Sequence, residues 1–128
     1  MTAAATPDNV AVWFEIPAAN FDRAVGFYEK TFATRLIREK FGPADMAVFP
    51  HDDNAISGCI IKGDGYRPAG DGCVVYLHTK GDLDGPLSMA AKAGGKVATP
   101  KTALPPGMGY FAHFVDSEGN RVGLHSME

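Results

Sequence analysis

Apolar positions along this chain follow two periods, and the period switches at regular points. Residues 10–16, VAVWFEI, are a short run rich in β-branched and aromatic side chains and predict a strand. Pro17 ends that run, and Asn20 is a good N-cap for a helix. Phe21, Ala24, Val25, Tyr28 and Phe32 then recur with the helical period and define one face of that helix. Residues 35–40, 44–49 and 55–61 predict three strands, the last bounded by the turn clusters HDDN and GDG.

The pattern then begins again. Residues 73–79, CVVYLHT, predict a strand. Asp84 is placed to cap a second helix, with Leu83, Leu87, Ala90 and Ala91 on one side and Gly94-Gly95 at its end. Strands are predicted over 96–100, 110–115 and 120–125. The order βαβββ thus occurs twice, roughly 60 residues apart, and a repeat of that size implies two similar half-sheets. The fold class is α+β: two βαβββ modules, about 10–62 and 72–126, in one domain spanning 1–128, with 1–9 as a flexible leader. Both helices are expected on the outer face of a curved mixed sheet, with a concave ligand pocket on the other.

Side chains alternate across a strand, so the pattern also predicts facing. Val10, Val12, Phe14 and Ile16 form the uniformly apolar face of the first strand and should meet the helix. Trp13 and Glu15 point the other way. In the second module Cys73, Val75 and Leu77 oppose Tyr76 and His78. In the last strand Val122 and Leu124 oppose Arg121, Gly123 and His125. Trp13, Glu15, Tyr76, His78, Arg121 and His125 therefore converge on the concave side, where aromatics mixed with a few polar groups suit a small molecule. The facing of His113 stays open at this level. Residues 103–109, ALPPGMG, read as a loop and 116–120 as a turn.

Bulk composition narrows the partners. The chain has 128 residues, 45% hydrophobic and 21% charged, with a net charge of −3. That is an ordinary soluble composition with no basic footprint for nucleic acid or anionic membrane. No apolar run approaches the ~18 residues of a membrane span. The start, MTAAATPDN, lacks a basic stretch followed by an apolar one and is not a signal peptide. Cys59 and Cys73 have no metal-motif spacing and read as reduced core thiols of a cytoplasmic protein.

Three segments carry a resemblance to a known family: WFEIPAANFDRAVGFYEKTF, AAKAGGKVATPK and FVDSEGNRVGL. With the doubled βαβββ order, the chain resembles the vicinal oxygen chelate superfamily, which includes glyoxalase I, extradiol dioxygenases and bleomycin-resistance proteins. The resemblance runs from Val10 to Leu124. It implies a cavity that, in active relatives, holds one divalent metal through His and Glu from the first and last strand of each module. At those positions this chain has Ala11 or Trp13, nothing suitable in 55–61, Val74, and Gly123. The usual ligand set is missing, so no metal or other cofactor is expected; a divalent metal at a shifted site would need Glu15, His78 and His125.

The chain is therefore expected to bind a small molecule in a concave pocket. Trp13, Tyr76 and Arg121 are its candidate ligand-binding residues. The alternative is a metal-dependent or acid–base lyase, isomerase or dioxygenase-type enzyme on a small oxygenated substrate, with Glu15, His78 and His125 as candidate catalytic groups. The resemblance also implies a homodimer.

Overall fold

The computed structural model describes residues 6–128; residues 1–5 of the expected leader lie outside the described residues. The elements run β1 (Trp13–Pro17), α1 (Phe21–Phe32), β2 (Ile37–Phe41), β3 (Ala44–Val48), β4 (Ser57–Lys62), β5 (Tyr76–His78), α2 (Asp84–Lys92), β6 (Lys96–Ala103), β7 (Tyr110–Val115) and β8 (Arg121–Ser126). They form two four-stranded sheets with orders β1-β4-β3-β2 and β5-β8-β7-β6. In each sheet the strand before the helix pairs parallel with the last strand, and the remaining pairs are antiparallel. The doubled βαβββ order is therefore realised as two mixed half-sheets.

One apolar cluster joins the modules. It contains Ile16 and Ile60 of sheet one, Phe27 and Tyr28 of α1, Leu83 and Leu87 at α2, and Phe114 and Leu124 of sheet two. Each large side chain fully buried in this way contributes about 1.5–3 kcal/mol. Helix α1 forms as its pattern predicts. Asn20 has extended backbone, and its side chain accepts the Arg23 N–H at 3.0 Å. Phe27 and Thr31 are also buried; α1 packs on α2 as well as on β4 of its own sheet, and the Phe27 ring meets Phe114 of β7.

Several boundaries differ from the periodicity. Val10 and Val12 do not meet the helix; they are exposed, because β1 begins at Trp13, opposite Ser57 at the start of β4. Likewise β5 is only three residues long, in register with Gly123–His125, so Cys73 lies outside it. Cys59 is buried but Cys73 is an exposed free thiol and not a core residue. Asp84 is the first helical residue of α2 and not its cap; the Asp82 carboxylate accepts the Asp84 N–H at 2.9 Å instead. Ala91 is exposed. Strand β6 runs through Pro100 to Ala103. It is an edge strand with register shifts against β7, which is where a proline can be tolerated.

The segment 116–120 is a turn, and it is also the lock between modules. Tyr28 Oη donates to Asp116 Oδ2 at 2.6 Å, and Asp116 Oδ1 accepts the N–H groups of Glu118 and Asn120. Asn120 Nδ2 donates to the Pro17 carbonyl at 2.8 Å. Glu118 Oε1 accepts the N–H groups of Ala19 and Asn20 at 3.0 and 2.7 Å, and Oε2 accepts from Arg23 Nε at 2.7 Å. A turn of module two thus caps the first helix of module one.

Candidate functional site

Register aligns four residues in one row across sheet two. Tyr76 of β5 pairs with Gly123 of β8, Gly123 with His113 of β7, and His113 with Thr99 of β6. All four lie on the face away from the helices, since their neighbours Leu77, Leu124, Ala112 and Phe114 are the ones in the core cluster. The Tyr76 ring lies across Gly123: a Cβ on Gly123 would run into Cδ2 and Cε2 of that ring. That position lets the phenol reach over β8 to His113, with 2.6 Å between Tyr76 Oη and His113 Nε2. From the other side Arg121 Nε donates to His113 Nδ1 at 2.9 Å, and Arg121 Nη2 donates to Thr99 Oγ1 at 3.1 Å. Burial, and then the nearby Arg121 charge, hold the His113 pKa below its usual value.

Next to this row lies a cavity of about 550 Å³ in the seam between β1 and β5. Trp13, Tyr76 and His78 enter its wall from the open faces. Phe14 and Leu77 enter from the opposite faces of the same strands, Val75 enters just ahead of β5, and Phe32, Thr34, Phe49, Pro50, His51, Ile56 and Ser57 close it from module one. A wall of aromatic and aliphatic groups with a few polar ones is typical of small-molecule sites, and the volume is within their usual range. A smaller space of about 180 Å³ lies under the 103–109 loop.

The candidate residues divide across this geometry. Trp13, Tyr76 and His78 line the seam cavity, whereas Glu15, Arg121 and His125 do not. Arg121 reaches Tyr76 through His113. His125 Nε2 is 2.8 Å from the Met108 carbonyl, so the 103–109 loop engages it. Glu15 lies beside Cys59, whose thiol is pushed up to about 12 by burial and then by the Glu15 charge. Among the described residues no three His, Cys, Asp or Glu side chains form a group that could hold a metal ion, so Glu15, His78 and His125 are not brought together.

Two histidines escaped the alternation argument. The buried Ala112 and Phe114 on either side of His113 would have assigned it to the open face. His51 sits in a loop, where periodicity says nothing, and only tertiary packing brings it to the cavity. The open face of sheet one is also less open than alternation suggests. Ala44, Val48, Cys59 and Ile61 are buried there, with Met46 and Tyr66 packed against them.

Comparison with known proteins agrees with this architecture. The family model described as the glyoxalase/bleomycin resistance protein/dioxygenase superfamily matches residues 10–124. Among solved structures, a glyoxalase I variant from Zea mays superposes with a TM-score of 0.64 at 20% identity, covering 90% of this chain and 45% of that one. This chain therefore spans about half the length of the maize protein. A hypothetical protein from S. aureus gives 0.66 at 16% identity, covering 94% of this chain and 99% of that one. The fosfomycin resistance protein FosX from Listeria monocytogenes gives 0.62 at 14% identity, covering 94% and 92%. At such identities these likenesses show the fold alone. No curated protein sequence matches the chain. The family match over nearly the whole chain, together with the two βαβββ half-sheets, places this protein in the glyoxalase/bleomycin resistance protein/dioxygenase superfamily, the vicinal oxygen chelate fold.

Proposed function

We propose that this chain binds a small organic molecule in the seam cavity without a metal at the positions its family commonly uses. The observation that carries this function is the cavity itself, of about 550 Å³ and walled by Trp13, Phe14, Phe49 and Tyr76 with His51 and His78 as polar groups. The family ligand positions argue the same way. Ala11, Trp13 and Val74 offer no donor atom of the kind a divalent metal takes, and strand β4 has no histidine or carboxylate. At Gly123 the obstacle is also steric, since the Tyr76 ring occupies the space where a side chain would begin. The residues present do not fit the usual metal.

Binding is favoured over the acid–base alternative by where the groups lie. Of Glu15, His78 and His125 only His78 reaches the cavity, so no pair of them faces a common ligand. The proposed setting is a reducing cytoplasm, where Cys59 and Cys73 stay free thiols. Among the described residues no helix is long and apolar enough to cross a membrane.

Trp13 is the sole tryptophan and lines the cavity, so its emission reports occupancy. A library of small aromatic and aliphatic metabolites is screened for a rise in unfolding temperature, which a ligand specific to the folded state must produce. Compounds that stabilise the protein should also shift or quench Trp13 emission. Stabilisation with unchanged emission would place the ligand elsewhere. One tightly bound divalent ion per chain, in protein purified without added metal, would overturn the metal-free proposal.

A further inference from the structure

The bonding around His113 restricts where its proton can be, and that restriction carries information about the ligand. A guanidinium only donates hydrogen bonds. Arg121 Nε–H points at His113 Nδ1 at 2.9 Å, so Nδ1 must be the accepting nitrogen. The imidazole is then neutral and its one proton is on Nε2. Nε2 lies 2.6 Å from Tyr76 Oη, so His113 donates to the phenol oxygen. The phenol proton cannot point back along that contact and is directed to an acceptor on the open side, water in the free protein or a ligand when one is bound. Tyr76 makes no other hydrogen bond among the described residues, and its side chain is half exposed. The depressed His113 pKa agrees with the neutral ring.

Arg121 adds a charge with no partner. No carboxylate pairs with it among the described residues; the four ion pairs there use Arg23, Arg38, Lys40 and Lys101. Its bonds go to an imidazole and a hydroxyl, both neutral. A neutral carbonyl would satisfy the Tyr76 proton but would leave this cation uncompensated. An oxyanion would take the phenol proton in a charge-assisted bond and would also be favoured by the Arg121 charge on the far side of the imidazole.

We propose that Tyr76, His113 and Arg121 form an oxyanion-binding site on the open face of sheet two, which holds the acidic group of a ligand whose apolar body lies in the seam cavity. The placement of the body rests on the proposed cavity binding; the oxyanion site rests on the bonding alone. Tyr76 is the shared wall, with its ring in the cavity and its hydroxyl at the site. His113 is a positioning residue: both its nitrogens are engaged, and it sets the direction in which the phenol donates.

The test is a titration of the whole chain with benzoate, its uncharged analogue benzamide, and inorganic phosphate, monitored by Trp13 emission and by side-chain ¹⁵N spectra of the histidines. Benzoate should bind about tenfold more tightly than benzamide. Tyr76→Phe, which keeps the ring over Gly123, and Arg121→Gln should each erase that preference. The spectra should show His113 neutral with its proton on Nε2. Equal binding of acid and amide to the native chain would overturn the oxyanion site and leave cavity binding standing. Phosphate perturbing His113 while neither benzoate nor benzamide alters Trp13 emission would support the oxyanion site and count against the cavity. A proton on Nδ1, or no response to any of the three probes, would overturn the proposal.

Discussion

Gly123 is a glycine for reasons of space and not of backbone conformation, since it is absent from the glycines with positive φ. Tyr76 lies over it to reach His113, and a methyl group there would collide with the ring. Gly123→Ala should therefore cost about 1–3 kcal/mol by overpacking, measured by urea unfolding. It should also release the Tyr76–His113 bond, visible as a change in the His113 side-chain spectrum. An unchanged spectrum and unchanged stability would show that the ring has room to move. The sequence alone exposed the anomaly, a glycine within a short strand. It could not show that the missing side chain is replaced by an aromatic ring from a strand some 50 residues away in the chain.

Among elements, the turn between β7 and β8 illustrates how local patterns undervalue a residue. Asp116, Gly119 and Asn120 are ordinary turn formers, and so 116–120 is legible as a turn. Nothing local reveals that Glu118 caps α1. Its side chain is fully covered, and it accepts two backbone N–H groups at the positive end of the helix as well as Arg23. Glu118→Ala should cost about 1–3 kcal/mol in denaturant unfolding, because those two donors lose a charged acceptor. Arg23→Ala should have a much smaller effect, since the Arg23 side chain is 55% exposed and solvent screens its pairing. Equal losses in the two variants would mean that the ion pair, and not the cap, matters.

For the whole molecule, the same residues make stability depend on pH in one direction. His113 is held below its ordinary 6.5 by burial and then by Arg121. As pH falls, the unfolded chain takes up that proton first, so stability declines from 6.5 down to the lower folded value. For Glu118, burial raises the pKa, but the bonds from Arg23, the Asn20 N–H and Ser117 together outweigh it and bring it below 4.5. Its stabilisation is complete above 4.5 and is lost as pH falls through the folded value. The melting temperature should thus begin to drop as pH falls through 6.5, and should drop again below 4.5. His113→Gln should remove the upper drop and keep the lower one. A native profile that stays flat as pH falls below 6.5 would contradict the neutral His113.

By itself the sequence determined the element order, the doubled βαβββ plan, the family, the Asn20 cap and the facing of Tyr76, His78, Arg121 and His125. These come from local rules, since periodicity and capping act within a few residues and alternation within one strand. Tertiary structure decided the rest. The lengths of β1 and β5 depend on how far their partners β4 and β8 extend. The cavity lies in the seam between the half-sheets and draws on both faces of β1 and β5, so no single strand's alternation could outline it. The bonds linking Tyr76, His113 and Arg121 depend on the register of β5, β7 and β8, and register is a relation between strands. Local sequence therefore set which groups face the same way, while strand pairing set which of them touch.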